Sequence, residues 1–350
     1  MSSTPTDINA ATTSPPLFPQ MPVSAASQHV AEPAAAPYGP AMHSGTEALR
    51  LRVWHETDYT YGAPVALARH VAHLQPRDTP VQRVSAWRLS IEPAADEALE
   101  ADDTWIAAQS SLDCWGNMRT VFSHSREHTA LRVVSQCEVH LTAGLALPAP
   151  GPTWEDVAQA LRYRAGTGSV EATEFSLPSW HAPRSAALAA FAMTAFEPGC
   201  SVGDGATRLM QQIFHQVRYA PGSTQVHTRA VDVLALGQGV CQDLAHLMIA
   251  ACRSIGLAAR YVSGYLLTQA PPGQQRLVGA DASHAWVQVW CPVNGWLAYD
   301  PTNNIPVGTH HVTLAWGRDY ADVAPLRGVF STGGAGTVAP TVRVQVEPIP

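Results

Sequence analysis

Three residues that lie far apart in the chain have the side chains needed for nucleophilic catalysis by a thiol: Cys241, His284 and Asp300. A cysteine attacks as its thiolate, and a helix N-terminus or a neighbouring imidazolium favours loss of the thiol proton. A carboxylate that accepts a hydrogen bond from the imidazole holds it in the working tautomer. We therefore take Cys241 as the candidate nucleophile, His284 as the base and Asp300 as the residue that orients the base.

The sequence around Cys241 predicts that this residue begins a helix. It follows the segment GQG at 237–239, and apolar residues recur at helical spacing from Leu244 to Ile255. The first-turn N–H groups of a helix have no intrahelical acceptor, so they can bind an oxyanion. We expect Gly239 to allow a sharp turn into this helix, and Gly256 to end it.

The two partner residues belong to a predicted hairpin. His284 opens the strand HAWVQVW, Asp300 ends the strand GWLAYD, and the short turn PVNG joins the two strands. Antiparallel pairing would place both side chains at the same end of the sheet. Pro301 is expected to stop the second strand.

The elements before this constellation indicate a separate β-domain. Residues 1–46 are rich in Ala, Pro, Ser and Thr and predict a disordered tail, within which Met42 is an alternative start. LRVWHETDYTY, from Leu51 to Tyr61, alternates as a strand does. Further strands are predicted at RVSAWRLSIEP, around Trp105, at MRTVFSH and at TALRVVSQCEVHL, with CWGN as a hairpin turn. We read 47–145 as an all-β sandwich-like domain.

The second half of the chain predicts an α+β domain. A linker at 146–175 contains a Pro-rich hinge and a short helix, EDVAQALRY, which Thr153 would cap. Helical spacing at 186–196 and 206–217 is followed by three strands, ARYVSGYLL, HAWVQVWC and GWLAYDP, and by a last apolar segment around HVTLAWG. Helices packed on an antiparallel sheet are therefore expected over 176–330. Residues 331–350 form a C-terminal tail or an edge strand.

The motifs GVCQDLAHL, SHAW and AYDPTNN, in that order, resemble the bacterial transglutaminase-like family of papain-type thiol enzymes. HLQPRDTPVQR and DCWGN resemble the N-terminal β-domain that accompanies this core in bacteria, so the resemblance covers roughly residues 50–335. It implies a papain/transglutaminase-like core with the triad Cys241, His284 and Asp300. Members of the superfamily include protein crosslinkers, peptidases and amidases, so the resemblance leaves the reaction open.

Residues that would contact a substrate are less sharply indicated. Trp286 and Tyr265 are candidates for lining an acyl-substrate groove, and the alternative for both is a place in the sheet core. Gln225 is a further candidate substrate residue. Gln225, Gln238 and Tyr219 are all candidates for a side-chain oxyanion donor, and the sequence does not choose between them.

Composition excludes several function classes. The net charge of −7 argues against a nucleic-acid or anionic-membrane partner. The longest apolar stretches are shorter than the ~20 residues that span a bilayer, and the first basic residue is Arg50, so we expect a cytoplasmic protein. All 21 basic residues are arginines, and the chain contains no lysine.

Neither a metal nor another cofactor is expected. The six cysteines contain no C-x-x-C pair. The adjacent His310 and His311, and His70 with His73, lack a third ligand, so surface or strand positions are expected for them. An EF-type calcium loop is also missing from the sequence.

The sequence thus predicts cysteine-dependent acyl transfer on a glutamine carboxamide or a peptide bond, through a thioacyl intermediate. One alternative is a peptidase or amidase that hydrolyses the same intermediate. The other is a non-catalytic binding module, in which the β-domain would be the recognition surface. The expected partner is a peptide or protein substrate, and the oligomeric state is not predicted.

Overall fold

The computed structural model describes residues 48–96, 109–142, 151–162, 171–267, 283–333 and 340–349. The predicted tail at 1–46, the strand around Trp105 and the first half of the Pro-rich hinge lie outside these ranges. The strands are β1 Leu49–Ala72, β2 Gln82–Glu92, β3 Gln109–Leu112, β4 Met118–His124, β5 His128–Leu141, β6 Arg218–Tyr219, β7 Gln238–Gly239, β8 Ala259–Leu266, β9 Ser283–Cys291, β10 Gly295–Asp300, β11 Ile305–Pro306, β12 His311–Gly317, β13 Leu326–Thr332 and β14 Thr341–Pro348. The helices are α1 Trp154–Ala160, a 3-10 turn Glu171–Ser176, α2 Ala186–Met193, α3 Val202–Gln216, α4 Ala230–Leu236, α5 Cys241–Ser254 and α6 Tyr320–Val323.

The long strand β1 organises the N-terminal domain. Its first half pairs with β5 and β14, and its second half pairs with β4 and β13. Side chains from both halves meet in one apolar core, which includes Leu89 of β2, Leu131 of β5 and Phe122 of β4. Two parts of one sheet therefore face each other, and the all-β, sandwich-like prediction is confirmed.

The C-terminal strands return to this N-terminal sheet. β13 pairs with β1 from Val65 to Ala72, and β14 pairs with it from Leu51 to Asp58. Val344 and Val346 of β14 are fully buried, which requires a sheet face to cover them. The predicted boundary at 330 falls inside β13, which belongs to the first sheet, and β14 is an edge strand, one of the two alternatives predicted for 331–350.

The segment predicted as a linker packs into the second domain. Helix α1 is capped as expected by Thr153, whose hydroxyl accepts from the N–H of Asp156. Val157, Leu161 and Phe175 are buried in the same core as the helices of the second domain. Their apolar side chains need that core, so the described parts of 146–175 are structural elements of the α+β domain.

Helix α5 forms the centre of the α+β domain. It packs against α2, α3 and α4 and against β8 and β9 of a sheet with the strand order β11-β10-β9-β8-β12. Every residue from Asp243 to Arg253 is buried. We expected one apolar stripe, and the helix is instead covered on all sides. The short helix α4, which supplies part of that cover, was not predicted. Across the described residues, none of the helices combines the length and apolar character needed to cross a membrane.

Two side-chain amides join the domains at the open edge of this sheet. The amide of Gln82 donates to the carbonyl of Thr313 and accepts from its N–H, both at 2.7 Å. Asn117 makes the same pair of bonds to Trp316, at 2.8 and 3.0 Å. Gln82 and Asn117 belong to the motifs HLQPRDTPVQR and DCWGN, so these motifs anchor the β-domain to strand β12.

Candidate active site

Cys241 occupies the first position of α5, directly after the extended N-cap Val240. The carboxylate of Asp243 accepts from the Val240 N–H at 2.8 Å and from the Thr224 hydroxyl at 2.5 Å. These bonds fix the start of the helix. The first-turn N–H groups then lie beside the thiol, where they can stabilise negative charge.

Gly239 is needed because a side chain there would clash, and not, as expected, because the chain turns sharply at this residue. A Cβ built on it would stand 2.7 Å from the Cβ of Asp243. The left-handed turn that ends α4 is made earlier, by Gly237 at φ 62°. Gly239 therefore allows the chain to pass closely over Asp243, and Gly237 supplies the sharp turn.

The predicted hairpin brings His284 and Asp300 together. Strands β9 and β10 pair from Cys291 with Gly295 to Val287 with Tyr299. Nε2 of His284 donates to Oδ2 of Asp300 at 2.8 Å. The Cys241 thiol is close enough to His284 to help raise the pKa of its imidazole. Because Nε2 is used by Asp300, Nδ1 is the nitrogen that remains for the sulfur. The structure thus brings the three candidate residues together.

The buried carboxylate has a strong effect on the histidine. Burial alone would lower the pKa of His284, but the charge and hydrogen bond of Asp300, together with Cys241, raise it from 6.5 to about 10. Burial would likewise raise the pKa of Asp300, and His284 and His311 hold it well below its ordinary value. The pair is therefore an imidazolium and a carboxylate at neutral pH.

Four other thiols lie in environments that disfavour the thiolate. Burial raises the pKa of Cys137 and Cys252 to about 12. Burial, with smaller contributions from nearby carboxylates, also raises the pKa of Cys114 and Cys200. Each of these four thiols is therefore protonated at neutral pH, which suits a structural role.

Sequence reasoning missed two further groups that bind the carboxylate of Asp300. His311 lies 3.2 Å from Oδ2 through its Nε2, and Asn303 donates to Oδ2 at 2.6 Å. His311 is buried at the start of β12 and was expected at a surface or strand position without a role. The pair His310–His311 was visible in the sequence, but β12 is three strands away from β10 in the sheet, and that strand order was not predicted. The second pair that we weighed for a metal, His70 and His73, is also buried.

Among the described residues, one group is arranged so that it could hold a metal ion: His284, Asp300 and His311. Their ligand atoms lie within 4.8 Å of one another. The carboxylate at their centre is fully buried, and both imidazoles are hydrogen-bonded to it. These bonds give the three side chains a role without an ion, and the expectation of no metal remains a prediction.

The substrate-groove expectation is wrong for the two aromatic residues. Trp286 is fully buried, with its ring 5.3 Å from that of His311. Tyr265 is buried at the domain interface, where its hydroxyl lies 3.0 Å from Nδ1 of His55. Both rings are covered because the sheet is packed on its two faces. Gln225 is exposed in the loop before α4, and its role as a substrate residue stays a prediction.

The structure places the three candidate oxyanion donors in different surroundings near Cys241 in the sequence. Tyr219 pairs with Gly239 in the short β6–β7 ladder, and Gly239 lies two residues before Cys241. The side chain of Tyr219 is half exposed. The amide of Gln238 is hydrogen-bonded to Arg218. The choice among Tyr219, Gln238 and Gln225 therefore stays open.

His246 lies on the same helix as the nucleophile but cannot serve as its base. Its ring is stacked between those of His181 and Tyr261, and its Nε2 accepts from the N–H of Tyr320 at 3.1 Å. Burial lowers the pKa of His246 well below 6.5.

Comparison with known families matches both domains. Residues 190–301 match the transglutaminase-like superfamily, and residues 51–140 match the bacterial transglutaminase-like N-terminal region. An uncharacterized protein of Mycobacterium tuberculosis is 37% identical over 316 residues, which is 88% of this chain and 94% of the relative. A similar protein of Mycobacterium leprae is 32% identical over 310 residues, covering 84% of this chain and 98% of the relative.

Two further matches are shorter or more distant. A protein-glutamine gamma-glutamyltransferase of Pseudomonas aeruginosa is 40% identical over 68 residues, 19% of this chain and 10% of that protein. The crystal structure of a proposed cysteine protease from Cytophaga hutchinsonii superposes with a TM-score of 0.65 at 20% identity, over 87% of this chain and 92% of that one. At this identity the superposition shows a common fold.

Proposed function

We propose that this chain, which belongs to the transglutaminase-like superfamily, transfers an acyl group from a glutamine carboxamide or a peptide bond. The transfer proceeds through a thioester on Cys241. The superfamily supports thiol acyl transfer or peptidase-type chemistry as the broad class. One observation carries the finer proposal: His284 is hydrogen-bonded to the buried Asp300 carboxylate, and the nearby Cys241 thiol helps to raise the pKa of its imidazole.

In the first half-reaction, the sulfur of Cys241 attacks the carbonyl carbon and the C=O electron pair moves onto oxygen. The N–H groups at the start of α5 stabilise this oxyanion. His284 gives its proton to the leaving nitrogen, the C–N bond breaks, and ammonia or an amine departs. Asp300 keeps the imidazole oriented during this proton transfer.

In the second half-reaction, a nucleophile attacks the thioester carbon. His284, now neutral, accepts the proton of that nucleophile, and the C–S bond breaks to return the Cys241 thiolate. An amine acceptor gives a new amide bond, and water gives a carboxylic acid. The same three residues perform either reaction.

Transfer to an amine is the first candidate for this second step. It is supported by the local similarity to the Pseudomonas protein-glutamine gamma-glutamyltransferase. Hydrolysis is the second candidate, because Cys241 is only partly buried and water can therefore reach a thioester there. We further propose a peptide or protein substrate and a cytoplasmic location.

A glutamine-peptide library, offered with and without a labelled primary amine, separates these outcomes. We expect ammonia release and amine incorporation with the wild type, and neither with Cys241→Ala. The enzyme has no lysine, so label on peptides is not confused with crosslinking to lysine side chains of the enzyme. Cleavage without incorporation would establish hydrolysis. Absence of both reactions in the wild type, or their persistence in Cys241→Ala, would overturn the proposal.

A further inference from the structure

The carboxylate that orients the base is shared by two imidazoles. Oδ2 of Asp300 lies 2.8 Å from Nε2 of His284 on β9 and 3.2 Å from Nε2 of His311 on β12. Oδ1 accepts the backbone N–H groups of Thr302 and Asn303 at 3.0 and 3.2 Å. The carboxylate is therefore held by the loop after β10 and by side chains from two other strands of the sheet, β9 and β12.

The hydrogen bonds of His311 fix its tautomer. A backbone N–H can only donate, and that of Gly308 points to Nδ1 of His311 at 3.4 Å. Nδ1 is therefore the acceptor, and Nε2 carries the proton that is donated to Asp300. His311 thus contributes a neutral donor, in contrast to the charged imidazole of His284.

The position of His311 is set by its surroundings. Its ring packs edge-on against the fully buried Trp286, at 5.3 Å and 78°. Strand β12, which begins at His311, is bonded to Gln82 at Thr313 and to Asn117 at Trp316. The ring therefore has little freedom to turn away from the carboxylate.

We propose that His311 is a positioning residue for the acyl-transfer site: it donates from Nε2 to Asp300 and thereby fixes the carboxylate that orients His284. The proposal rests on the proposed function of Cys241. The titratable groups around Asp300 are His284 from β9 and His311 from β12, and Cys241 faces His284 from α5. Within the described residues, β12 is the strand through which the β-domain reaches this network.

A matched pair of substitutions tests the role of the Nε2 donor. The amide nitrogen of glutamine reaches the position of histidine Nε2, whereas that of asparagine falls short of it. We expect His311→Gln to keep kcat/KM within about threefold of the wild type, and His311→Asn to lose roughly 10- to 100-fold, as expected for a misplaced orienting group. The neighbour His310 is half-buried and serves as control, with His310→Asn retaining wild-type activity.

The titration of His284, followed by imidazole NMR, gives a readout that a purely structural role would not move. When the donor is lost, Asp300 no longer divides its hydrogen bonding between two imidazoles and binds the His284 imidazolium more strongly. We expect the titration midpoint of His284 to rise by about half to one pH unit in His311→Asn, and to stay within 0.3 unit, about the measurement error, in His311→Gln.

Equal kinetics of the Gln and Asn variants together with an unmoved His284 titration would overturn the role of His311. The ¹⁵N spectrum of the wild type adds an independent check, because it must show His311 protonated at Nε2. If wild-type protein has no Cys241-dependent activity, the proposed function fails instead. The NMR arms still decide whether His311 acts on the pair of Asp300 and His284.

Discussion

Replacing Asp300 by asparagine should lower the pKa of His284 and, with it, the activity. The rise from 6.5 to about 10 corresponds to about 5 kcal/mol of preference for the imidazolium. Asp300 supplies much of this, and Cys241 the remainder. Loss of the carboxylate charge should therefore lower the pKa of His284 by about 2 units, within the range that one close charge produces. We expect kcat/KM to fall at least about 100-fold, because the base loses its orientation.

The same substitution has a predicted effect on stability. The folded-state pKa of His284 lies above its unfolded value, so its contribution is complete below pH 6.5 and is lost as the pH rises through about 10. The depressed pKa of Asp300 contributes above pH 3.8 and is lost on acidification. The free-energy difference between wild type and Asp300→Asn should therefore be largest between about pH 4 and 6.5 and should shrink toward pH 10.

Imidazole NMR titration gives the pKa, and urea denaturation at pH 6 and pH 10 gives the free energies of unfolding. Asp78→Asn is the matched control, since Asp78 belongs to the β-domain and forms an exposed pair with Arg83. It should leave the His284 titration unchanged. If His284 titrates within half a unit of wild type in Asp300→Asn, or if the stability difference grows from pH 6 to pH 10, the reasoning is refuted.

Three further substitutions probe the nucleophile, the domain contact and the sheet. Cys241→Ala should abolish peptide turnover, measured as ammonia release and cleavage, and change the free energy of unfolding by less than about 1 kcal/mol. Gln82→Leu removes both bonds to Thr313 and leaves its N–H and C=O unpaired, so urea denaturation should show a loss of about 2–4 kcal/mol. Gly264→Ala would place a Cβ 2.4 Å from the Trp286 ring and 2.2 Å from a carbonyl, so thermal unfolding should show a loss of about 3 kcal/mol.

The two predictions on stability, for Gln82→Leu and Gly264→Ala, each have a control in the same chain. Gly203 has its nearest neighbour at 3.6 Å and lies in a helix, so Gly203→Ala should be neutral or slightly stabilising. Gln136 is paired with Arg88 on the exposed surface, and Gln136→Leu should cost less than about 1 kcal/mol. Wild-type stability of Gly264→Ala or Gln82→Leu would show that these contacts are wrongly described.

The start of α5 and the pairing of His284 with Asp300 could be predicted because both are local, whereas the approach of Cys241 to His284 was expected from the family resemblance. Helical spacing after Cys241 sets the start of α5, and the turn PVNG fixes the hairpin that joins His284 to Asp300. Alternation of apolar residues similarly identified β1, β4 and β5. These inferences need only the periodicity of one element or the pairing of two strands that are neighbours in sequence.

The features that sequence reasoning missed depend on contacts between distant segments. His311 reaches Asp300 because β12 joins the sheet beside β8, and alternation within β12 does not contain that information. For Tyr265 both a groove position and a core position were open, because nothing near it in sequence shows that the β-domain covers that face of the sheet. The return of β14 to β1, and the burial of α5 on all sides, likewise follow from tertiary packing.

The most direct measurement is the rate of alkylation of individual cysteines by iodoacetamide at pH 6, mapped by mass spectrometry. Cys114 is exposed and has a raised pKa, so it is an internal reference thiol. Because Cys241 is paired with the His284 imidazolium, it should be alkylated at least about 100 times faster than Cys114. The substitution His284→Ala should remove this difference in rate. Alkylation of Cys241 no faster than Cys114, or at an unchanged rate in His284→Ala, would contradict a thiol activated by this triad.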